Sequence, residues 1–441
     1  MADAAYSPQR YSARFFALSA FVAIAVVLGG GGTPVPLPEL AVQVAALVLL
    51  ASWPFLASGE RGSPADPALY WLAAVLAAPP LLQLVPLPPS LWEALPGRAP
   101  AAASLAAAGQ AGQWMPMSLT PARTLAYLLA LLPPVIAMLL ASMLGIRERL
   151  AMLGVIAALG VGAALFALAV WLGEWSPYGG GHRQWVSGLN ANRNAAADLF
   201  LLALAALAAW SWRREASAAR IAIPAAILAL AILLTGSRTG IALLVAGALV
   251  FALLRWRHRL RALLVAVGAI AAGAAAMLVF APGRFAPVAA RFDATGDARA
   301  DLWQDSWHAV SQFWPMGSGL GSFPVVIQAS ERLSAVDESW PNRAHNEYLE
   351  IALEAGLPGL LAIAIGLALV ARIIWRAMSD DRIASALPAF TLAAFGIIAL
   401  HSVVDYPLRA LSLACLAGLA VGLSGNTGRI PPEKASKRDG T

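Results

Sequence analysis

The chain reads as an all-α polytopic membrane protein with about twelve transmembrane helices, and three observations carry that reading. Of its 441 residues, 60% are hydrophobic and only 12% are charged, about half the charged fraction of a soluble domain. Apolar runs recur from end to end, many long enough for a bilayer-spanning helix of about 20 residues. Basic residues collect in alternate short loops, as the positive-inside rule requires of a multi-span chain.

The spans fall at roughly 15–32, 39–58, 68–86, 124–144, 151–172, 194–211, 220–235, 240–254, 262–281, 347–371, 383–401 and 409–424. The first follows Arg10 and Arg14 but ends in GGGGTPVP, without an Ala-x-Ala-like cleavage site. It therefore reads as an uncleaved helix rather than a signal peptide. Pro79-Pro80 and Pro133-Pro134 predict kinks in the third and fourth spans. Together the spans make one integral membrane domain over residues 1–441, closed by a cytoplasmic tail at 425–441.

With the N-terminus in the cytoplasm, one side receives the N-terminal segment, Arg61, RERL, SWRREASAAR, RWRHRLR, ARIIWRAMSDDR and the tail, and so 19 of the 30 Lys and Arg. The other eleven are all Arg: 98, 123, 183, 193, 238, 284, 291, 299, 332, 343 and 409. They stand where orientation signals do not belong, so they need another purpose. The outer side also receives two large loops, 87–123 and 282–346, the second between spans nine and ten. Within it, Trp303, Trp307, Val310 and Trp314 share one helical stripe, with Asp301, Gln304, Asp305, His308, Ser311 and Gln312 opposite. Either this helix lies at the membrane surface with its tryptophans in the interface, or it packs against the other loop.

Several classes are excluded at this stage. Cys415 is the only cysteine, so neither an intramolecular disulfide nor a multi-cysteine metal site can form. The basic residues are scattered over short loops rather than gathered in a patch, which argues against a nucleic-acid partner. GSGLGSF at 317–323 is glycine-rich but has no preceding strand, so it does not fit a nucleotide-binding loop. No cofactor or metal motif is present.

Charge reappears in RAHNEYLEIALEAGLPG, which begins at Arg343. A helix starting near Asn342 to His345 places Glu347, Glu350 and Glu354 on one stripe, and Gly356 and Pro358 end it. The segment then continues as a span from Gly359. Either the acids are solvated and His345 is incidental, or the segment lines a wet cavity, since ionisable groups facing lipid are costly. Arg238 in LLTGSRTGIALL is either a snorkelling side chain or part of an anion site. Asn190, Asn192 and Asn194 read as helix caps beside Arg193. Asp405 and Arg409 in HSVVDYPLR read as a local ion pair that positions the last two helices.

Together these segments resemble the O-antigen ligase and polymerase superfamily of bacterial inner membranes. The ligase motif (His, Asn/Ser/Gln, nine residues, Gly, two residues, Gly) is matched by His345, Asn346, EYLEIALEA, Gly356, LP and Gly359. SRTG around Arg238, Arg299 before Leu302-Trp303 with Pro315 and GSGLG beyond, NRN at 192–194 and HSVVDYPL also fit. The resemblance covers residues 187–409. Family ligases often carry Thr and a basic residue after the second glycine, where this chain has Leu360 to Ala362.

The resemblance implies a GT-C-like fold and metal-independent, inverting glycosyl transfer at the periplasmic face, while the basic loops and the even number of spans put both termini in the cytoplasm. The donor would be a glycan on undecaprenyl pyrophosphate. Arg238 and Arg299 would grip the pyrophosphate, with Arg193, Arg343 and Asn346 as further substrate contacts. His345 would position or deprotonate the acceptor hydroxyl, and Glu347 or Glu350 would share or replace that role. A histidine at a helix N-terminus tends to stay neutral, which suits a base. Gly356, Gly359 and Asp405 would be structural. Three functions remain: a ligase acting on lipid A-core, a polymerase extending a growing glycan, and a lipid-linked sugar transporter. Transport fits least, because no acid lies near the middle of a span.

Overall fold

The computed structural model describes residues 11–31, 36–56, 65–179, 183–212, 218–251, 299–334, 340–380 and 385–425, with 267, 268, 272 and 336 besides. The predicted span 262–281, the first part of the second outer loop and the C-terminal tail lie almost wholly outside these residues. Among the described residues the chain is helical, apart from one two-stranded ribbon pairing Pro86–Leu87 with Met115–Pro116 in the first outer loop.

The principal helices are α1 (Ala13–Leu28), α2 (Leu37–Ser52), α3 (Pro67–Gln83), α4 (Pro121–Ala130), α5 (Leu132–Ser142), α6 (Ile146–Leu172) and α7 (Arg193–Ser211). They continue with α8 (Ala218–Leu234), α9 (Arg238–Phe251), α10 (Arg299–Phe313), α11 (Glu347–Glu354), α12 (Gly356–Met378), α13 (Ala386–His401) and α14 (Leu411–Ser424). Among the described residues, four segments are long and apolar enough to cross a membrane: Pro121–Ser142, Ile146–Leu172, Arg193–Ser211 and Gly356–Met378. Seven shorter apolar helices accompany them. The protein is thus an all-α protein built of apolar helices.

The prolines act differently at the two predicted kinks. Pro133 sits in the first turn of α5, and the span divides at Leu131, because a proline lacks the N–H that would continue the ladder. At Pro79-Pro80 the helix runs on to Gln83. The predicted span 347–371 also divides. The short α11 precedes the candidate crossing, which is α12.

α7 is the hub, packing on α6, α8 and α13, while α14 packs on α5. Between apolar helices in lipid there is little hydrophobic drive, so close backbone approach must supply the attraction. Gly418 and Gly422 provide it: a Cβ at either would run into the carbonyl oxygen of Pro134 or Met138 on α5. Gly422→Leu is therefore expected to push α14 off α5 and destabilise the protein by about 1–3 kcal/mol. Thermal unfolding of the purified protein checks this, and an unchanged midpoint would contradict it. Beside this seam the buried Arg149 donates to the carbonyls of Ser142, Leu144, Leu423 and Gly425, closing the C-terminal ends of both helices.

Candidate active site

The elements above enclose a cavity of about 1830 Å³. Its polar wall includes Arg193, Arg299, Arg343, His345, Glu347 and Tyr406. Below, it is lined by apolar side chains of α3, α5, α12, α13 and α14, among them Leu72, Met138, Leu367, Phe395 and Val421.

His345 is held from both sides. Ahead of it, the Ala344 N–H donates to Glu350 Oε2 at 3.0 Å, and Trp303 Nε1 on α10 donates to the Ala344 carbonyl at 2.9 Å. Behind it, Asn346 caps α11 by accepting from the Leu349 N–H at 3.0 Å, and the Glu347 N–H reaches the Ser402 carbonyl at 2.9 Å. Between these anchors His345 takes a left-handed φ of 50°, a conformation that costs a non-glycine residue about 1–2 kcal/mol. The helix therefore begins at Glu347, later than the sequence pattern places it. His345 lies ahead of the cap, outside the turn where a helix dipole acts.

The partner of His345 is Asp405, with Nδ1 and Oδ1 3.2 Å apart. The other Asp405 oxygen accepts from the side-chain amides of Asn192, at 3.1 Å, and Asn194. Asn192 is the N-cap of α7, accepting from the Asn194 N–H at 2.7 Å. The asparagine cluster thus caps a helix and holds the carboxylate, while Asn190 takes no part in the cap. Asp405 is 2% exposed. Burial raises its carboxyl, but the hydrogen bond and charge of His345, with the Asn194 amide, hold it below the usual carboxylate range. With Nδ1 on Asp405, Nε2 is the nitrogen left for a substrate in the cavity. The Tyr406 ring lies 5.0 Å from the imidazole, and burial pushes its hydroxyl up to about 12, so it remains a neutral donor.

The expected Asp405–Arg409 pair does not form. Because the Pro407–Arg409 turn separates them, Asp405 faces α7, whereas Arg409 enters the acidic stripe of α11. Its Nη2 lies 3.0 Å from Glu350 and 3.1 Å from Glu354, and Nε lies 3.7 Å from Glu347. The Tyr127 ring packs on the guanidinium. The predicted stripe is real, but its acids are buried rather than solvated. Glu350 also accepts from Arg343 at 2.9 Å. Burial works against its charge, yet Arg409 and Arg343 hold it below the usual range, and it does not line the cavity.

Glu347 does line the cavity. Its carboxyl is pushed up to about 7 by burial, against the pull of Arg409. The folded protein therefore holds this proton more tightly than the unfolded chain. The resulting stabilisation is complete below about pH 4.5 and fades as pH rises through about 7, a linkage on the order of 3 kcal/mol. Glu347→Gln is expected to flatten the fall in thermal midpoint across that window. A wild-type midpoint that rises over the same range would contradict the assignment.

Arg193 stacks on Trp185 at 4.2 Å. The SRTG turn abuts this pair: Gly236 has φ 64°, and a Cβ there would meet the Trp185 ring at 3.0 Å. Arg238 opens α9 beside that corner but does not line the cavity. Arg299, the first residue of α10, does. The structure thus brings together Arg193, Arg299, Arg343, His345 and Glu347, and leaves Arg238, Glu350 and Asn346 behind or beside them. Asn192, Asn194 and Tyr406 join the constellation without having been marked by charge pattern, and Arg409 joins it through partners other than Asp405.

The glycines serve close packing. Gly317, Gly319 and Gly321 all have positive φ, and a Cβ at Gly317 or Gly319 would collide with the Glu354 carbonyl or with Ser118. Gly356, at φ 58°, meets the Pro315 carbonyl in the same way. Gln83 bolts this joint, donating to the Glu354 carbonyl at 2.8 Å and accepting from the Leu320 N–H at 2.9 Å. α10 packs on α11 through Asp305, Ser306, Ala309, Val310 and Phe313, leaving Trp307 and Trp314 exposed. Asp305, expected on the solvent side, is buried because Arg332 pairs with it at 2.6 Å.

Fold and site therefore define a multi-pass membrane protein with a cationic, histidine-bearing pocket over an apolar floor. Residues 223–364, about a third of the chain, match the family model described as O-antigen ligase. No curated protein matches it.

Proposed function

We propose that the protein is an inverting, metal-independent glycosyltransferase of a bacterial inner membrane, acting as an O-antigen ligase. It would move a glycan from undecaprenyl pyrophosphate to lipid A-core. The observation that carries this reading is a cavity in which arginines and His345, backed by Asp405, stand above an apolar floor. A lipid-linked diphosphate has the same two halves.

In the proposed step the acceptor hydroxyl attacks the anomeric carbon from the side opposite the pyrophosphate. A new carbon–oxygen bond forms as the bond to pyrophosphate breaks, and that electron pair leaves on the pyrophosphate oxygen. The hydroxyl proton passes to His345 Nε2, and Asp405 balances the imidazolium at Nδ1. Arg193, Arg299 and Arg343 meet the growing negative charge without proton transfer. For Arg238 the same role is supported by the resemblance alone. Twelve crossings, cytoplasmic termini and a periplasmic mouth are proposed from the distribution of basic loops.

The test is a glycolipid profile of cells lacking the protein, complemented by wild type or His345→Ala. Long glycan held on undecaprenyl pyrophosphate beside bare lipid A-core is expected. Single units on the core, or loss of a secreted polymer, would replace the ligase with the polymerase, the alternative that Leu360 to Ala362 leave open by departing from the ligase pattern.

A further inference from the structure

A second histidine–carboxylate pair lies close to the first, and the proposed reaction does not use it. His401 ends α13 and Asp198 lies on α7; each side chain is 1% exposed, with Nδ1 and Oδ1 2.6 Å apart. The other Asp198 oxygen has no hydrogen-bond partner among the described residues. A buried ion pair with an unsatisfied oxygen is a poor strut, since apolar residues of similar volume would join two helices at lower cost. Its location is informative. The Asp405 N–H donates to the His401 carbonyl at 2.9 Å, so Asp405 follows one helical turn after His401. On α7, Asn194, which holds Asp405, lies one turn before Asp198. The same two elements thus carry the His401–Asp198 pair and the Asn194–Asp405 contact that holds the first pair, and the charges of His401 and Asp405 act on each other.

We infer that His401, paired with Asp198, is a positioning residue for His345: it balances the Asp405 carboxylate from behind and so sets how firmly Asp405 holds the His345 imidazole. This inference rests on the reading of His345 as the base. The charged groups facing His401 are Asp198 on α7, Asp405 beyond α13 and Arg299 at the start of α10. α14 carries no acid or base except the Cys415 thiol, and α6 and α12 carry Arg147, Glu148, Arg149, Arg372 and Arg376 at their opposite ends. His345 itself faces Asp405, Tyr406, Arg343 and Glu347.

The test is the pH profile of undecaprenyl pyrophosphate release by full-length protein in lipid nanodiscs. The substrates are an undecaprenyl-pyrophosphate-linked oligosaccharide and an acceptor glycolipid. In His401→Gln the acidic limb is expected to move up by about one pH unit, because Asp405 then acts on His345 unopposed. Asp198→Asn, which changes charge and almost no volume, should move it the same way by stripping His401 of its partner. This variant also keeps the inference testable if His401→Gln fails to fold. The double variant should move the limb no further than either single one, since the two residues act as a unit. A lowered rate with an unmoved limb in the variants that fold would reduce the pair to a structural strut and overturn the inference. His345→Ala separates the two levels: full activity in that variant would remove the reading beneath, whereas its inactivity beside an unmoved limb would remove this inference alone.

Discussion

His345→Ala is expected to reduce glycan transfer by about 10³-fold, within the range that a positioned general base contributes. The loss should fall on kcat rather than KM, because the arginines and the apolar floor proposed to bind the donor are untouched. Asp405→Asn should lose less, since it leaves His345 in place and removes only the charge that balances the imidazolium. It should also disturb the start of α7, because Asn192 and Asn194 both donate to that carboxylate. Rates of undecaprenyl pyrophosphate release check both. A His345→Ala enzyme within tenfold of wild type would leave His345 a structural residue.

Arg409→Ala is expected to have the largest effect on stability. Its guanidinium is the shared counter-charge of Glu347, Glu350 and Glu354, all buried, and only Arg343 would remain to pair with Glu350. Removing one partner of a buried ionic cluster costs about 3–5 kcal/mol, a large part of a typical folding free energy. Arg409→Lys should recover only part of this, because one ammonium nitrogen replaces a planar guanidinium whose Nε and Nη2 both face the acids. Adding Glu354→Gln to Arg409→Ala should recover some stability by removing one orphaned charge. Thermal unfolding checks the series, and an Arg409→Ala protein as stable as wild type would contradict the arrangement.

The sequence was informative where a single period or an expensive residue type dominated. Long apolar runs located the helices. The spacing of Glu347, Glu350 and Glu354 located a stripe, and the scarcity of charge made His345 and the outer arginines conspicuous. Partners were less legible. Asp405 and Arg409 are four residues apart and opposite in sign, the usual signature of a local pair, yet the turn at Pro407 sends one to α7 and the other to α11. The start of α11 was misplaced because Asn346 is a strong cap whose effect only its bond to Leu349 reveals. Asp305 follows the polar side of a tryptophan-rich helix, and its burial depends on Arg332, 27 residues away. Asn192 and Asn194 read as caps and Tyr406 as part of HSVVDYPL, and their place beside His345 emerges only from the tertiary fold.

The measurement that tests the central claim most directly is single-turnover release of undecaprenyl pyrophosphate by purified wild type and His345→Ala, using a lipid-linked oligosaccharide and an acceptor glycolipid. Release with one new glycosidic bond per turnover, lost in His345→Ala, is the predicted result. Movement of the lipid-linked glycan across the bilayer without release, or equal release by both proteins, would contradict it.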